Sequence, residues 1–349
     1  APPSEEIRVL RVVDAALNRG GEGLRVVEDY VRFVLDDRHL TARMKQFRHD
    51  LAAVGARVSL GRRLAARETR GDVGTGVTVP SERSREDTRG VLAANFTRLE
   101  QSLRTLEEFG KVLDPGLAAE LKQLRYRAYT LQRAVEITRD SRERLGRARL
   151  YVLLDGRGSP DQFTATVRSL VEVRADVLQL RDKRLDDRSL LERARLLREL
   201  TEGSETLFVV NNRPDLAHLA RADGVHVGQE DLTVKDARSI VGPDALVGVS
   251  THSVEQARQA VLDGANYIGV GPVFPSGTKQ FQAFPGLELL RAVAEEIRLP
   301  AFAIGGIDRQ GLPEVLATGF ERVAVGGAIL SADDPAAAAG DLLTMLEGT

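Results

Sequence analysis

The chain has 349 residues, of which 42% are hydrophobic and 29% are charged, enough to bury one large core or two ordinary ones. Its 49 basic and 51 acidic side chains nearly cancel, which argues against a general attraction to nucleic acid or to an anionic membrane. The absence of cysteine excludes disulfides and thiolate metal sites. No apolar run approaches the ~18 residues of a membrane span and the first residues lack the features of a secretory signal, so we expect a soluble, cytoplasmic protein.

The first part of the chain has the apolar spacing of helices. From about residue 7 to residue 138, apolar residues recur at three- and four-residue intervals, as in Leu24, Val27 and Val31. A glycine-rich interruption at residues 70–80 is too short to form a domain of its own. The pattern predicts an all-α helical bundle.

Two of the predicted helices share a pattern of charges. Arg19 and Arg25 correspond to Arg98 and Arg104 at a constant offset of 79 residues, which indicates an internal repeat. Helical spacing places these arginines and the neighbouring acidic residues beside the apolar stripe. The pattern fits either a solvated face, with ion pairs of ~0.2–0.5 kcal/mol each, or a row of cations that could hold phosphate groups.

A change of composition marks a domain boundary. The charge-rich segment 139–148 has almost no apolar face, so we expect an exposed linker there. The sequence thus predicts a helical domain over residues 1–138 and a second domain over residues 149–349.

The second part of the chain alternates short apolar strands with helical stretches. Eight such units in about two hundred residues predict a (β/α)8 or TIM barrel, an α/β fold whose catalytic groups emerge at the carboxyl ends of the strands. A doubly wound open sheet is the alternative, although residues 154–160 form a poor glycine fingerprint. The predicted strands are residues 150–154, 177–180, 207–210, 224–227, 246–249, 267–270, 301–304 and 322–325.

Cationic side chains follow the second predicted strand. Strand alternation places Gln179, Arg181 and Lys183 on the side of the barrel mouth. Arginine offers a planar fork of donors to phosphate oxygens, and lysine offers a compact point charge. The alternative is a surface charge run, which the leucines on the opposite face of the strand disfavour.

Hard oxygen donors follow the third and fourth strands. Asn212 and Asp231 could meet across the mouth and hold Mg²⁺, which takes one or two protein ligands and completes its shell with water and phosphate oxygens. Both residue types also serve in loop turns and helix caps, so the pair alone does not identify a metal site.

Small and glycine residues follow the last three strands and suit the binding of phosphate by backbone N–H and side-chain O–H groups. His226 and His252 are candidate general bases, but the first lies within an apolar run and the second at a helix entry, which favours structural roles for both. The candidate phosphate-binding residues are Ser276, Gly277, Thr278, Lys279, Gly305, Gly306, Gly326 and Gly327.

Together these clusters resemble, in order and over roughly residues 149–347, the thiamin phosphate synthase family. The resemblance implies that 4-amino-2-methyl-5-hydroxymethylpyrimidine diphosphate is coupled to a thiazole phosphate, giving thiamin phosphate and pyrophosphate. It also implies that Asp231 ligates Mg²⁺, and that catalysis rests on Arg181, Lys183, Ser250 and Lys279. The implied contacts to the pyrimidine diphosphate are Gln179, Arg181, Lys183, Asn211, Ser250 and Lys279, and those to the thiazole phosphate are Ser276, Thr278, Gly306, Gly326 and Gly327.

One departure from the family pattern concerns the metal. The usual Asn-Asp after the third strand is Asn211-Asn212 here. An amide oxygen can ligate Mg²⁺ but brings no charge, so we expect weaker metal binding, with the diphosphate supplying more of the coordination.

The helical part is similar to a domain that is attached to some thiamin phosphate synthases and is associated with hydroxymethylpyrimidine phosphate kinase activity. The likeness rests on the charge repeat, Ala94-Asn95, residues 72–75 and Lys122-Gln-Leu-Arg125. It implies ATP as a co-substrate and a product that the barrel consumes, although no known nucleotide fingerprint is present. The candidate kinase residues are Arg19, Glu22, Arg25, Asp72, Thr75, Asn95, Arg98 and Arg104.

Two alternatives remain open from the sequence. The helical domain could be a non-catalytic module that assembles a homo-oligomer. The barrel could be another phosphate-binding isomerase or aldolase, because a fold does not name a chemistry. An aldolase would need a Schiff-base lysine within a strand, whereas Lys183 and Lys279 lie in predicted loops. In either case the expected partners are small molecules.

Overall fold

The computed structural model describes residues 3–69, 72, 84–275 and 285–348. It divides into two compact units, Ala1–Val135 and Glu136–Thr349. The elements of the first unit are α1 (Glu5–Tyr30), a π-helical turn (Val31–Leu35), α2 (Arg38–Ala56), α3 (Leu60–Ala66), α4 (Thr88–Leu113) and the first part of α5 (Pro115–Arg144).

Side-chain caps define where the helices of the first unit begin. Ser4, Asp37 and Asp87 each accept a hydrogen bond from a backbone N–H of the first turn, at 3.4, 2.7 and 2.7 Å. The predicted apolar stripe is buried, as at Leu24 and Val27. The expected helical bundle is therefore confirmed.

The two repeat helices α1 and α4 pack directly against each other. A Cβ atom on Gly20 would lie 3.2 Å from Ser102 Cβ, and one on Gly23 would lie 3.0 Å from the carbonyl oxygen of Asn95. Because the later residue of α1 faces the earlier residue of α4, the helices run antiparallel. Glycine at position 23 permits the close approach of the two backbones.

The second unit is a closed parallel barrel in the order β1 to β8, with β8 paired to β1. This confirms the predicted TIM-like fold and excludes the open-sheet alternative. The strands are β1 (Leu150–Leu154), β2 (Val177–Leu180), β3 (Leu207–Asn211), β4 (Gly224–Val227), β5 (Leu246–Thr251), β6 (Tyr267–Val270), β7 (Ala301–Ile304) and β8 (Val323–Val325). The helices that follow them are α6 (Pro160–Glu172), α7 (Asp187–Thr201), α8 (Pro214–Leu219), α9 (Val234–Val241), α10 (Val254–Asp263), α11 (Gly286–Glu296), α12 (Leu312–Leu316), α13 (Gly327–Leu330) and α14 (Pro335–Glu347).

Inward-facing side chains fill the amino-terminal half of the barrel, so the opposite end is left for a site. Strand alternation sends the residues two positions further along each strand toward that opposite end, the mouth. The buried residues of this layer are Leu145, Ala148, Tyr151, Val177, Val209, Leu246, Tyr267, Phe302 and Ala324.

The segment 139–148 differs from the expected exposed linker. Its charged residues are good helix formers, and α5 continues through it to Arg144. Ser141 Oγ lies 3.1 Å from Asn266 Nδ2, which donates to it, and Leu145 packs into the barrel core. The division between the two units falls between Val135 and Glu136, inside this helix.

Among the helices that the structure describes, none combines the length and the apolar character required to cross a membrane.

Candidate active site

The closed parallel barrel brings the carboxyl ends of all eight strands to one end. Gln179, Asn211 and Ser250 lie in the last two residues but one, or closer to the end, of their strands and face inward. Arg181, Lys183, Asn212, Asp231, Gly305, Gly306, Gly326 and Gly327 follow the strands in the adjoining loops. Residues 276–284, which include the predicted Ser276, Gly277, Thr278 and Lys279, lie outside the described part of the chain.

A chain of hydrogen bonds crosses the barrel interior and ends at two predicted site residues. Gln179 Nε2 donates to Tyr151 Oη at 2.7 Å, and Tyr151 Oη lies 3.0 Å from Tyr267 Oη. Tyr267 Oη lies 3.3 Å from His226 Nδ1, and His226 Nε2 lies 2.9 Å from Ser250 Oγ. Gln179 and Ser250 are thus held from opposite sides of the barrel by one buried network.

The order of donors along this network follows from its chemistry. Burial raises the pKa of Tyr151 and of Tyr267, so both rings carry their protons at neutral pH. Because Tyr151 accepts from Gln179, its hydroxyl donates to Tyr267, and Tyr267 in turn donates to His226 Nδ1. A neutral His226 then carries its proton on Nε2 and donates to Ser250 Oγ. The hydroxyl proton of Ser250 is left to bind a ligand, and so is the Oε1 acceptor of Gln179.

The sequence reading gave His226 a structural role, and the contacts show what that role supports. The ring is 6% exposed and holds Ser250. His252 Nδ1, by contrast, donates to the carbonyl oxygen of Gly271 at 2.5 Å. His226 therefore orients a mouth residue, whereas His252 is tied to the backbone of the loop after β6.

Space for the network comes from Gly248. A Cβ atom at this position would lie 2.1 Å from Tyr267 Cζ, far inside contact distance. The Tyr267 ring therefore occupies the volume that any other residue at position 248 would need.

Arginines around the mouth differ in how they are used. Arg184 is bound by Asp182 at 2.8 Å, and Arg213 is bound by Asp215 at 2.7 Å. Arg157 donates to the carbonyl oxygen of Leu330 at 3.3 Å. Within the described ranges, no protein acceptor binds the half-buried guanidinium of Arg181, so its donors are available to an anion.

The loop that carries Arg181 and Lys183 is anchored by Asp182. This buried carboxylate accepts from the backbone N–H groups of Gly156 at 2.9 Å and Arg184 at 2.8 Å. Hydrogen bonds from Arg184, side chain and backbone, hold the pKa of Asp182 well below its usual range. The loop after β2 is thereby fixed to the loop after β1.

Replacing Asp182 with asparagine should loosen this loop and raise the KM for an anionic substrate several-fold, about the effect of ~1 kcal/mol. Since the folded pKa is depressed, the carboxylate stabilises the fold above its unfolded pKa and loses that effect as pH falls through its folded pKa. The Tm difference between wild type and D182N should therefore narrow only below about pH 4. A difference that persists unchanged to about pH 2 would contradict this account.

The candidate metal ligands are oxygen donors with defined partners. Asn211 Nδ2 donates to Asn212 Oδ1 at 2.9 Å, and Asn212 has the left-handed φ of 58°. Asp231 Oδ2 accepts from the N–H of Gly228 at 2.7 Å. Among the residues described, no group of three or more His, Cys, Asp or Glu side chains gathers to hold a metal. Two hard oxygens without a full protein cage fit Mg²⁺ completed by phosphate and water.

The glycine pairs lie where the barrel offers backbone groups to a ligand. Gly306 has a φ of 64°, and a Cβ atom on it would lie 2.6 Å from the carbonyl oxygen of Pro275. Glycine is therefore required at this turn after β7. Gly326 and Gly327 follow β8 directly, with open space beside Gly327.

Sequence reasoning missed Tyr151, Tyr267, Asp182 and the purpose of Gly248. The signal for the tyrosines was strand alternation, because both hydroxyl-bearing rings occupy inward positions of otherwise apolar strands. No local pattern reports that Gly248 faces Tyr267, since the two residues belong to different strands.

The candidate kinase residues of the helical unit are divided rather than clustered. Arg25 pairs with Glu28 at 3.4 Å, and Arg104 pairs with Glu107 at 3.3 Å. Because α1 and α4 are antiparallel, the two arginines lie on opposite sides of the helix crossing, about 10 Å apart along the axes. Arg19, Glu22, Arg98 and Asp72 are exposed, Asn95 is buried, and Thr75 lies outside the described residues.

Buried Asn95 donates through Nδ2 to the carbonyl oxygen of Val91 at 2.8 Å. Its Oδ1 atom is buried without a hydrogen-bond partner among the residues described.

Comparisons with known proteins agree with this geometry. Residues 150–329 match the family model described as thiamine monophosphate synthase, and residues 11–134 match the ThiD2 family. The thiamine-phosphate synthase of Rhodopirellula baltica is 45% identical over 339 residues, covering 95% of this chain and 90% of its own. That of Gloeobacter violaceus is 45% identical over 332 residues, covering 95% of each.

A solved structure covers the barrel. Thiamine phosphate pyrophosphorylase from Pyrococcus furiosus aligns with a TM-score of 0.52 and 37% identity, over 58% of this chain and 96% of that one. The polar clusters at the barrel mouth, the family match and the relatives over nearly the whole length agree. The chain belongs to the thiamine-phosphate synthase family.

Proposed function

We propose that the barrel joins 4-amino-2-methyl-5-hydroxymethylpyrimidine diphosphate to a thiazole phosphate, giving thiamin phosphate and pyrophosphate. The names of relatives that match nearly the full chain support this reaction. The observation that carries it is the guanidinium of Arg181, half-buried at the mouth beside two polar groups, Gln179 and Ser250, that a buried network orients toward a ligand.

The two ends of the network suit an aminopyrimidine. Gln179 presents an acceptor, Oε1, because its Nε2 is bound to Tyr151, and Ser250 presents a donor, because its oxygen accepts from His226. An aminopyrimidine ring carries an amino donor next to a ring-nitrogen acceptor. Donor and acceptor on the protein would therefore meet acceptor and donor on the ring.

The chemistry requires stabilisation of a leaving group. The bond between the methylene carbon and the diphosphate oxygen breaks, its electron pair leaves with pyrophosphate, and the thiazole nitrogen supplies the pair for the new C–N bond. Arg181 and Lys183 would bind the charge that develops on the diphosphate. Asn212 and Asp231 would hold Mg²⁺, which supplies further neutralisation of that charge. No proton leaves carbon or nitrogen, so no general base is needed.

This function is tested by supplying pure protein with the pyrimidine diphosphate, the thiazole phosphate and Mg²⁺ and measuring thiamin phosphate and pyrophosphate. Equal amounts of both products are expected. Absence of both in a folded preparation would overturn the proposal.

The metal site gives a specific expectation. Asn212→Asp adds a charge at the amide ligand, and the Mg²⁺ concentration for half-maximal activity should fall about tenfold, since charged oxygen ligands bind Mg²⁺ more tightly. Activity measured against Mg²⁺ concentration at fixed substrate checks this, with Asp215→Asn on α8 as a nearby control away from the predicted ligands. An unchanged Mg²⁺ requirement would mean that position 212 does not ligate the metal.

For the helical unit, we propose the phosphorylation of hydroxymethylpyrimidine phosphate by ATP, which yields the barrel's own substrate. The match of residues 11–134 to the ThiD2 family supports it. Supplying the monophosphate, ATP, thiazole phosphate and Mg²⁺ should then give thiamin phosphate. Product from the diphosphate but none from the monophosphate and ATP would leave the synthase and make the helical unit a non-catalytic module.

A further inference from the structure

The duplication in the helical unit extends beyond α1 and α4. The sequence Lys45-Gln-Phe-Arg48 on α2 recurs as Lys122-Gln-Leu-Arg125 on α5, at an offset of 77 residues. The first repeat has an offset of 79 residues, so the first copy is two residues longer between its helices. Each copy is thus a pair of helices, α1 with α2 and α4 with α5.

The two copies build the same charged network, atom for atom. In the first, Glu28 accepts from Arg25 Nη1 at 3.4 Å and from Arg48 Nε at 2.9 Å. In the second, Glu107 accepts from Arg104 Nη1 at 3.3 Å and from Arg125 Nε at 2.8 Å. Both glutamates are buried, so each is an internal anchor that fixes two guanidinium groups.

The second copy is closed by its neighbours. Arg125 lies over the rings of Tyr126 and Tyr129, at 4.9 and 5.7 Å from their centroids, and donates to Tyr129 Oη at 3.2 Å. Its side chain is only 12% exposed. Arg104 is also bound by Glu108 at 2.8 Å. Both guanidinium groups therefore have their remaining donors engaged or covered.

The first copy is open at the same position. His49 and Ala52 stand where the second copy has its two tyrosines, and the Arg48 side chain is 35% exposed. Among the described residues, Arg48 donates to the protein only through Nε, and Arg25 only to Glu28. The terminal nitrogens of Arg48 are left for an outside acceptor.

The connection between helices also differs between the copies. The first copy passes through the π-helical turn Val31–Leu35, where its two extra residues lie, whereas α4 continues as regular helix to Leu113. Single π-helical turns interrupt helices frequently at functional sites. This difference marks the same copy as the open guanidinium group does.

We propose that Arg25 and Arg48, oriented by buried Glu28, form the phosphate-binding site of the helical unit, and that the equivalent Arg104–Glu107–Arg125 network is structural. Two cations fixed by one carboxylate leave a net positive charge and unused forked donors, which suit a phosphoryl group. The ligand is a phosphate ester, either the nucleotide or the phosphorylated pyrimidine. The inference rests on the proposed kinase function and narrows its site to one copy.

The duplication supplies its own control. Arg48→Gln and Arg125→Gln remove the same charge from equivalent positions of the full-length protein. Binding of a non-hydrolysable ATP analogue and of the pyrimidine monophosphate is measured separately by calorimetry, together with Tm. R48Q should weaken one of the two ligands at least tenfold with little change in Tm, because a charge-assisted hydrogen bond is lost. R125Q should keep both affinities and lower Tm, because it exposes no binding donor but breaks a covered pair.

The outcomes separate this inference from the kinase itself. If wild type makes the diphosphate from ATP and R48Q does so as well as R125Q, the proposed site is wrong while the kinase stands. If wild type makes none but R48Q alone loses affinity for one ligand, the site stands without the activity. Should R125Q fail to fold, Arg48→Lys and Arg125→Lys, which keep the charge and remove the fork, replace the pair. Equal affinities in those two variants would overturn the proposal.

Discussion

Replacing Gly248 with alanine should damage both the stability of the barrel and the synthesis of thiamin phosphate. The new Cβ atom would lie 2.1 Å from Tyr267 Cζ, so the ring must move. Overpacking of this kind costs about 1–3 kcal/mol and should lower Tm by roughly 2–10 °C in a unit of this size. Moving the ring also breaks its contact with His226, and displacement of Ser250 by about 1 Å could cost up to ~100-fold in rate.

The neighbouring strand provides the control for this substitution. Gly269 also faces the interior, but a Cβ atom there would have its nearest neighbour, His226 Cε1, at 3.4 Å. Gly269→Ala should therefore leave Tm nearly unchanged. In the double variant Gly248→Ala with Tyr267→Leu the clash is relieved, so its Tm should exceed that of Gly248→Ala alone. Equal Tm values for Gly248→Ala and wild type would show that the ring is not fixed where the structure places it.

The barrel could be predicted from the sequence because its information is local. Each strand is a short apolar run bounded by polar residues, and five of the eight predicted strands coincide with the observed ones, including Val177–Leu180 and Tyr267–Val270. Polar residues just beyond such runs must reach the mouth once the strands are parallel. The positions of Gln179 and Arg181 followed from that argument alone.

What the sequence could not show depends on contacts between distant residues. The hydroxyls of Tyr151 and Tyr267 are joined across 116 positions of the chain, and neither strand alone indicates the other. The segment 139–148 has the composition of a linker, yet Ser141 is fully buried because Asn266 donates to it. The second half of the helical repeat was hidden by the change of offset between its two helix pairs.

Arg181→Gln should have the largest effect on the rate of thiamin phosphate formation. The guanidinium lies on the loop fixed by Asp182, and its own backbone N–H donates to the carbonyl oxygen of Leu154 at 2.7 Å. A cation held this firmly needs little reorganisation when charge develops on a leaving diphosphate. Loss of one such preorganised donor typically lowers kcat by about 100-fold or more.

The same variant should change the response to product. If Arg181 binds the diphosphate, inhibition by added pyrophosphate should weaken at least tenfold in R181Q, while the KM for the thiazole phosphate stays near that of wild type. Arg195→Gln, on the exposed outer surface of α7, makes an equal change in net charge and should alter neither quantity. A raised KM for the thiazole phosphate with unchanged pyrophosphate inhibition would instead assign Arg181 to the other phosphate. The cation after β2 therefore decides which of the two anions is bound on that side of the mouth.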